Sequence, residues 1–154
     1  MPQIYILVRS ISEYWEGLLL GAYTDYGQAK AARECYLTAV RRHDPWQACR
    51  SGDDWEAAVQ IRTIPYHGEI VDTLYIAIRY EECFGQTDKT PLAAFPSEAQ
   101  AEQYGRQIET QCGELPWPAW CDVATIPPNH LSPLPKGWSG KGQDSDYPYF
   151  ELQG

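Results

Sequence analysis

Clustered histidines and paired cysteines are absent from this sequence. The 154 residues include three histidines and five cysteines, and none of them forms an HxH, HExxH or CxxC motif. Protein zinc sites take their ligands from such clusters. The chain also has no G-x-S-x-G, no P-loop and no G-x-G-x-x-G, the motifs of hydrolase nucleophiles and of nucleotide-binding loops. The sequence therefore predicts no catalytic residue, no metal site and no cofactor.

Long apolar runs and an excess of basic residues are absent as well. No stretch approaches the ~18 consecutive apolar residues of a membrane span, and the apolar start of the chain has no basic region before it and ends at Arg9. The 12 basic residues are outnumbered by 21 acidic ones, for a formal net charge of -9. Because phosphate contacts need clustered Lys and Arg, we expect no direct binding to nucleic acid or to an anionic membrane. From the absence of an apolar span and of a basic start, we expect a cytoplasmic location.

The cysteines are odd in number and scattered in spacing, which does not suggest a disulfide scaffold. They are Cys35, Cys49, Cys83, Cys112 and Cys121. We expect free thiols that are mostly buried as small apolar residues, with a Cys112–Cys121 disulfide as the alternative.

The chain does contain an internal sequence repeat. The stretch "IYILVR" at 4–9 returns as "LYIAIR" at 74–79, and "AYTDYGQA" at 22–29 returns as "AFPSEAQA" at 94–101. The third pair is "IRTIPY" at 61–66 and "VATIPP" at 123–128. Three matched segments in the same order predict two copies of one structural unit.

Each copy has the pattern of strand, strand, helix, strand. Alternating apolar residues mark the first strand, namely Ile4, Ile6 and Val8 in one copy and Leu74, Ile76 and Ile78 in the other. Capping pairs predict the helix starts, Asp25 with Gln28 and Ser97 with Gln100. The predicted buried helix faces are Ala29, Ala32 and Tyr36, and Ala101, Tyr104 and Ile108. Pro65 and Pro127 end the closing strands, because proline cannot donate to a ladder.

The fold class predicted from this pattern is α+β, a tandem pseudo-twofold repeat of a β-β-α-β module. Residues 1–69 and 70–127 form the modules, which share one core because about 60 residues are marginal alone. We expect a continuous mixed or antiparallel sheet with the two helices on one face, joined through a turn at Gly68. Residues 128–154 read as an extended, Pro/Gly-rich C-terminal tail. Its end, "YPYFEL", suits docking on its own domain or on a neighbour, so a homodimer through the tail is one alternative.

The charge is unevenly distributed along the chain. Residues 1–69 carry seven basic and nine acidic side chains, a net of -2, whereas residues 70–127 carry three and nine, a net of -6. An acidic second module attracts a basic partner. We expect the contact surface at the second hairpin, with Glu81, Glu82 and Asp88 beside Phe84, although solvated loops explain such charges too. Trp46 and Trp117, which stand next to prolines, are candidate aromatic anchors. Trp55 and Trp120 are expected instead to cover the open ends of the sheet.

Two classes of function follow from these features. The first is a small acidic, non-enzymatic protein that binds, and thereby inhibits, another protein, the general character of immunity proteins and of phage-encoded blockers of host defence. The alternative is a small-molecule-binding module or enzyme with a site in the cleft between the modules. Its expected lining is Arg9, Tyr75, Arg79 and Tyr104.

Overall fold

A computed structural model of the protein describes residues 2–10, 17–43, 54–57, 59–83, 86–113 and 118–131. The first half contains β1 (Gln3–Ser10), β2 (Gly17–Tyr23), α1 (Tyr26–His43), the single turn α2 (Asp54–Ala57) and β3 (Val59–Pro65). The second half contains β4 (Leu74–Cys83), β5 (Gln86–Phe95), α3 (Glu98–Cys112) and β6 (Ala119–Ile126). The predicted α+β class is confirmed. None of the helices in these ranges has the length and apolar character needed to cross a membrane.

The strands form two separate three-stranded antiparallel sheets. In sheet A, β1 lies between β2 and β3, and in sheet B, β4 lies between β5 and β6. Each hairpin has one β-bulge, which leaves Leu20 as the extra residue in β2 and Leu92 as the extra residue in β5. The expectation of one continuous mixed sheet is therefore corrected: pairing within each half is antiparallel, and one isolated parallel bridge, Tyr66 to Ala94, links the halves.

The core lies between the two sheets. Side chains at alternate positions of β1 and β4 belong to one buried cluster. This cluster contains residues of all six described strands and no residue of the described helices. Its members are Ile4, Ile6, Val8, Leu19, Ala22, Ile64, Tyr66, Leu74, Ile76, Ile78, Tyr80, Ala94, Ala124 and Ile126. Because both sheets contribute to one cluster, they pack face to face.

The helices cover the outer faces of the sandwich. On sheet A, Leu7 and Leu20 pack with Tyr36 of α1, and on sheet B, Ala77 and Ala93 pack with Ala101 of α3. The expectation of two helices on one face is thus corrected. The physical reason is that the central strands are buried on both sides: Ile6 and Leu7 are both fully buried, so each sheet needs cover on each face.

The predicted helix starts are confirmed by their hydrogen bonds. The carboxylate of Asp25 accepts from the backbone N–H of Gln28 at 3.0 Å, and the hydroxyl of Ser97 accepts from that of Gln100 at 3.2 Å. Each bond satisfies a donor that has no partner within the helix. The predicted apolar face of α1 lies inward, with Ala29, Ala32 and Tyr36 buried. On α3, Ala101 is buried and Tyr104 and Ile108 are half-buried.

Two short crossings tie the halves together at their ends. After β3, the N–H of His67 donates to the carbonyl of Ala94 in β5 at 3.0 Å. After β6, the N–H of Asn129 donates to the carbonyl of Ala22 in β2 at 2.7 Å. Each half therefore ends on the second strand of the other half.

The linker between the halves turns at Gly68, as predicted. Gly68 has a φ of 151°, and a Cβ at this position would lie 2.6 Å from Cγ of Pro96. Only glycine fits both the backbone angle and the space. The predicted C-terminal tail lies mainly outside the described residues, which end at Leu131.

Asn129 provides a test of the second crossing. Its backbone has a φ of 62°, and its Oδ1 accepts from the N–H of Thr24 at 3.0 Å and from its hydroxyl at 3.3 Å. We expect Asn129→Ala to lower the free energy of unfolding by about 1–2 kcal/mol, from the lost acceptor and the left-handed backbone.

Asn129→Gly is the matched control, because glycine tolerates the backbone angle and loses only the acceptor. Urea titrations of the parent and both variants measure these changes, and the glycine variant should lose less free energy of unfolding than the alanine variant. Equal midpoints for both variants and the parent would show that the crossing does not stabilise the fold.

Candidate functional site

Two of the three acidic residues expected at the second hairpin, Glu81 and Glu82, lie near the end of β4. The carboxylate of Glu81 forms an ion pair with the guanidinium of Arg79 at 2.7 Å, so part of its charge is neutralised. Glu82 is exposed, and its backbone N–H donates to the carbonyl of Pro118, just before β6, at 2.9 Å. Both residues therefore stand beside the first residues of β6.

The other members of the expected contact surface receive little or no description. Trp46, Phe84 and Trp117 lie outside the described residues. Asp88 lies in β5 with its backbone opposite Glu81, and its side chain is outside the description. The side chain of Trp55, in α2, is outside it too.

The four residues proposed for a cleft between the modules do not meet there. Arg9 is 3% exposed and lies under α1, where its Nη1 donates to the hydroxyl of Tyr36 at 2.7 Å. Tyr75 and Tyr104 pack in the cluster between sheet B and α3, on the other outer side of the sandwich. Arg79 lines a small pocket beside α3. The space between the sheets is filled by the apolar core.

The structure instead places a groove between α3 and β6. Its volume is about 210 Å³, and it is lined by Ala101, Glu102, Gly105, Arg106, Glu109, Cys121, Asp122 and Val123. Three of these side chains are carboxylates and one is a guanidinium, so the formal charge of the lining is negative. We call this site the acidic groove.

The sequence of α3 explains the shape of the groove. Glu102 and Glu109 are seven residues apart, which places them on the same side of the helix. Gly105 lies between them and lets the helix approach the strand, since a Cβ there would be 3.0 Å from Cβ of Cys121. Close approach at Gly105 brings the carboxylates of the helix to the edge of the sheet.

Carboxylates cap the backbone along this edge. The N–H of Cys121 donates to Oε1 of Glu109 at 2.7 Å, and the N–H of Val123 donates to Oδ1 of Asp122 at 2.9 Å. β6 is the last strand in the order of sheet B, so these two amides face away from β4. Charged side chains are a known means of protecting a strand edge from pairing.

The corresponding position in the first half has the opposite charge. A pocket of about 410 Å³ between α1 and β3 is lined by Tyr26, Lys30, Arg33, Glu34, Gln60 and Ile61. Arg33 protects the edge here, because its Nε donates to the carbonyl of Val59 at 2.8 Å and its Nη2 to that of Glu56 at 2.8 Å. We call this site the basic groove.

An aromatic pair lies on the face of β6 opposite the acidic groove. The indole of Trp120 in β6 stacks on the ring of Tyr80 in β4, with centroids 5.4 Å apart and planes 5° apart. Trp120 remains 37% exposed, so it covers Tyr80 and still presents an apolar surface. A further pocket of about 40 Å³ on the α3 side is lined by residues that include Trp120 and Glu109.

Burial controls the protonation of Tyr80. Removal from water, and secondarily the charge of Asp122, raise the pKa of the Tyr80 hydroxyl well above its ordinary value of 10.0. Both causes disfavour the phenolate. The Tyr80 hydroxyl therefore stays neutral at pH values at which an exposed tyrosine ionises.

The expectation of buried cysteines is wrong for one described position. Cys35 is an exposed free thiol on α1, and Cys121 is a half-buried free thiol. Cys35 lies on the solvent side because the buried face of α1 is occupied by Ala29, Ala32 and Tyr36.

Sequence reasoning missed the three carboxylates of this site, Glu102, Glu109 and Asp122, and the exposure of Trp120. The heptad spacing of Glu102 and Glu109 was the available signal on the helix. Asp122 stands between Cys121 and Val123 in a strand, where alternation turns it away from the helix. Its carboxylate reaches the edge through the neighbouring amide of Val123, whereas Glu109 reaches the same edge only because α3 packs on β6, which no local pattern indicates.

Comparison with protein-family models, curated proteins and solved structures finds no match to this chain. Within the described ranges, no group of three or more His, Cys, Asp or Glu side chains is arranged to hold a metal ion. Inference about function therefore depends on the chemistry of the site itself.

The raised pKa of Tyr80 predicts the direction of a pH dependence. Because the folded-state value exceeds the unfolded one, the contribution to stability is complete below about pH 10 and is lost as pH rises through the folded-state pKa. We expect the free energy of unfolding to fall between pH 9 and 11 more steeply in the parent than in Tyr80→Phe. Guanidinium titrations across this range measure both slopes, and parallel slopes would contradict the assignment.

Proposed function

We propose that this protein acts by binding another protein that has a basic surface, and that it blocks this partner by occupying that surface. The observation that supports the proposal is the contrast between the two grooves: one half has Lys30 and Arg33 at its helix–strand groove, and the other has Glu102, Glu109 and Asp122. An acidic patch of this kind attracts a basic partner and speeds its association. We propose the cytoplasm as the setting.

Several weak contacts must act together at such a surface. A single exposed ion pair contributes about 0–1 kcal/mol, so three carboxylates alone provide modest affinity. Trp120 adds an exposed apolar surface on the same strand, and tryptophan is enriched among the residues that dominate binding energy. Glu82, which is exposed at the same end of sheet B, extends the acidic surface.

We also propose that the halves are two copies of one β-β-α-β module, residues 1–69 and 70–127, related by a pseudo-twofold axis. The supporting observations are the same strand order in both sheets and a bulge in the same place in both hairpins. The crossings agree as well: Ala22 and Ala94 are 72 residues apart, and His67 and Asn129, which bond to them reciprocally, are 62 apart. On this proposal, the grooves are equivalent positions that have diverged in charge.

A small-molecule site between the modules has less support. Arg9 and Tyr104 belong to clusters on opposite outer sides of the sandwich, and the apolar core separates them. A homodimer formed through the tail concerns residues that lie mostly outside the described ranges.

Charge-neutral variants of the acidic groove test the proposed function. We expect Glu102→Gln, Glu109→Gln and Asp122→Asn together to reduce retention of the partner at least tenfold in a pull-down, because three carboxylates are lost while side-chain acceptors remain. Retention by the parent should also decrease with salt, since screening weakens exposed charge pairs.

The matched control changes the same charge elsewhere. Glu34→Gln, Glu69→Gln and Asp72→Asn remove three exposed carboxylates outside the acidic groove. This control should retain the partner as the parent does. Equal losses in the two triple variants would indicate a response to net charge alone, and full retention by the groove variant would refute the proposal.

A further inference from the structure

We infer that the outer edge of β6 is a strand-addition site, at which an extended basic segment of the partner pairs as a fourth strand of sheet B. This inference rests on the proposed function and specifies how the acidic groove would be used. Strand addition combines main-chain hydrogen bonds, which give affinity, with side-chain pockets at alternate positions, which give specificity.

The edge itself is regular and accessible. The pairing of β6 with β4 runs without interruption from Ala119 opposite Glu81 to Ile126 opposite Leu74, and β6 contains no proline. Among the described strands, none pairs with the outer side of β6. Most of its residues are exposed or half-buried, and only Ala124 and Ile126 are buried.

The outward amides already bind acceptors at the spacing of a strand. Cys121 and Val123 are two residues apart, and their N–H groups donate to side-chain carboxylates, those of Glu109 and Asp122. In an antiparallel pair, every second residue exchanges both of its backbone hydrogen bonds with the residue opposite. Two carbonyls of an incoming strand therefore replace the two carboxylate oxygens one for one.

The displaced carboxylates select the incoming strand by charge. Glu109 and Asp122 lose their amide partners when a strand pairs, and cationic side chains of that strand restore a favourable interaction. A neutral or acidic strand offers no such replacement. A second copy of this edge is excluded for the same reason, because it would bring like charges together.

The groove determines which positions of the strand carry the cations. Cys121 and Val123 both line the acidic groove, so their side chains face α3. Residues paired with them through hydrogen bonds have side chains on the same face. The residues of the incoming strand whose N–H and C=O groups point at β6 are therefore those whose side chains enter the acidic groove beside Glu102 and Glu109.

This geometry gives a test with defined peptides. The probe is a blocked octapeptide of alternating Lys and Val, titrated into the full ¹⁵N-labelled chain at low salt. Two derivatives keep the charge: one is N-methylated at every lysine and the other at every valine. We expect the parent peptide and the valine-methylated peptide to bind within about threefold of each other and to shift the amide resonances of Cys121 and Val123. The lysine-methylated peptide should bind at least tenfold more weakly, because the methyl groups replace the amide hydrogens that face β6.

The outcomes separate this inference from the proposed function. Equal binding of all three peptides would show attraction by charge without strand pairing; the inference would fail and the proposed function would stand. Absence of peptide binding, with the partner still lost on neutralising the acidic groove, would also overturn the inference alone. Binding of a Glu/Val octapeptide as tightly as the Lys/Val one would overturn the selection by charge.

Discussion

The burial of two sheet faces against each other is the interaction on which the rest of this structure depends. Ile6 and Ile76, from the central strands of the two sheets, belong to the same fully buried cluster. Burying an isoleucine contributes about 1.5–3 kcal/mol, so neither sheet is stable with this face in water. Since the facing sides are occupied, α1 and α3 cover the outer faces, and the exposed backbone is confined to the edges of the strands.

The ends and edges of the strands provide further contacts between the halves, and the edges differ in charge. Two crossings, at His67 and at Asn129, connect each half to the second strand of the other. At the edge of each closing strand, a side chain from the helix binds a backbone group: Arg33 binds a carbonyl of β3, and Glu109 binds an amide of β6. One framework thus has a cation at one edge and a carboxylate at the other. Such a difference changes the charge at the edges and leaves the core unchanged.

Much of the secondary structure follows from local sequence. The alternation of Ile4, Ile6 and Val8 predicts β1, and Asp25 and Ser97 predict the helix starts, because alternation and capping act between residues a few positions apart. The stacking of the sheets was not predicted, although Leu7 and Ala77 hold the information: apolar residues between the alternating ones indicate burial on both sides.

The candidate site is less accessible to sequence reasoning. The acidity of the second half and the position of Glu81 and Glu82 could be read directly from the chain. The meeting of Glu109 with Cys121 could not, since it depends on Gly105 letting α3 approach β6. The stacking of Trp120 on Tyr80, which leaves Trp120 partly exposed, could not be predicted either, because it joins residues of two different strands.

Native-state hydrogen exchange of the full chain tests most directly whether the two halves form one cooperative core. The slowest amides of β1 and β4, around Ile6 and Ile76, should exchange with one common free energy, equal to that of global unfolding, and with one common dependence on denaturant. Two free energies that differ by more than about 1 kcal/mol would mean that one half opens while the other stays folded. That result would contradict a core shared between the sheets.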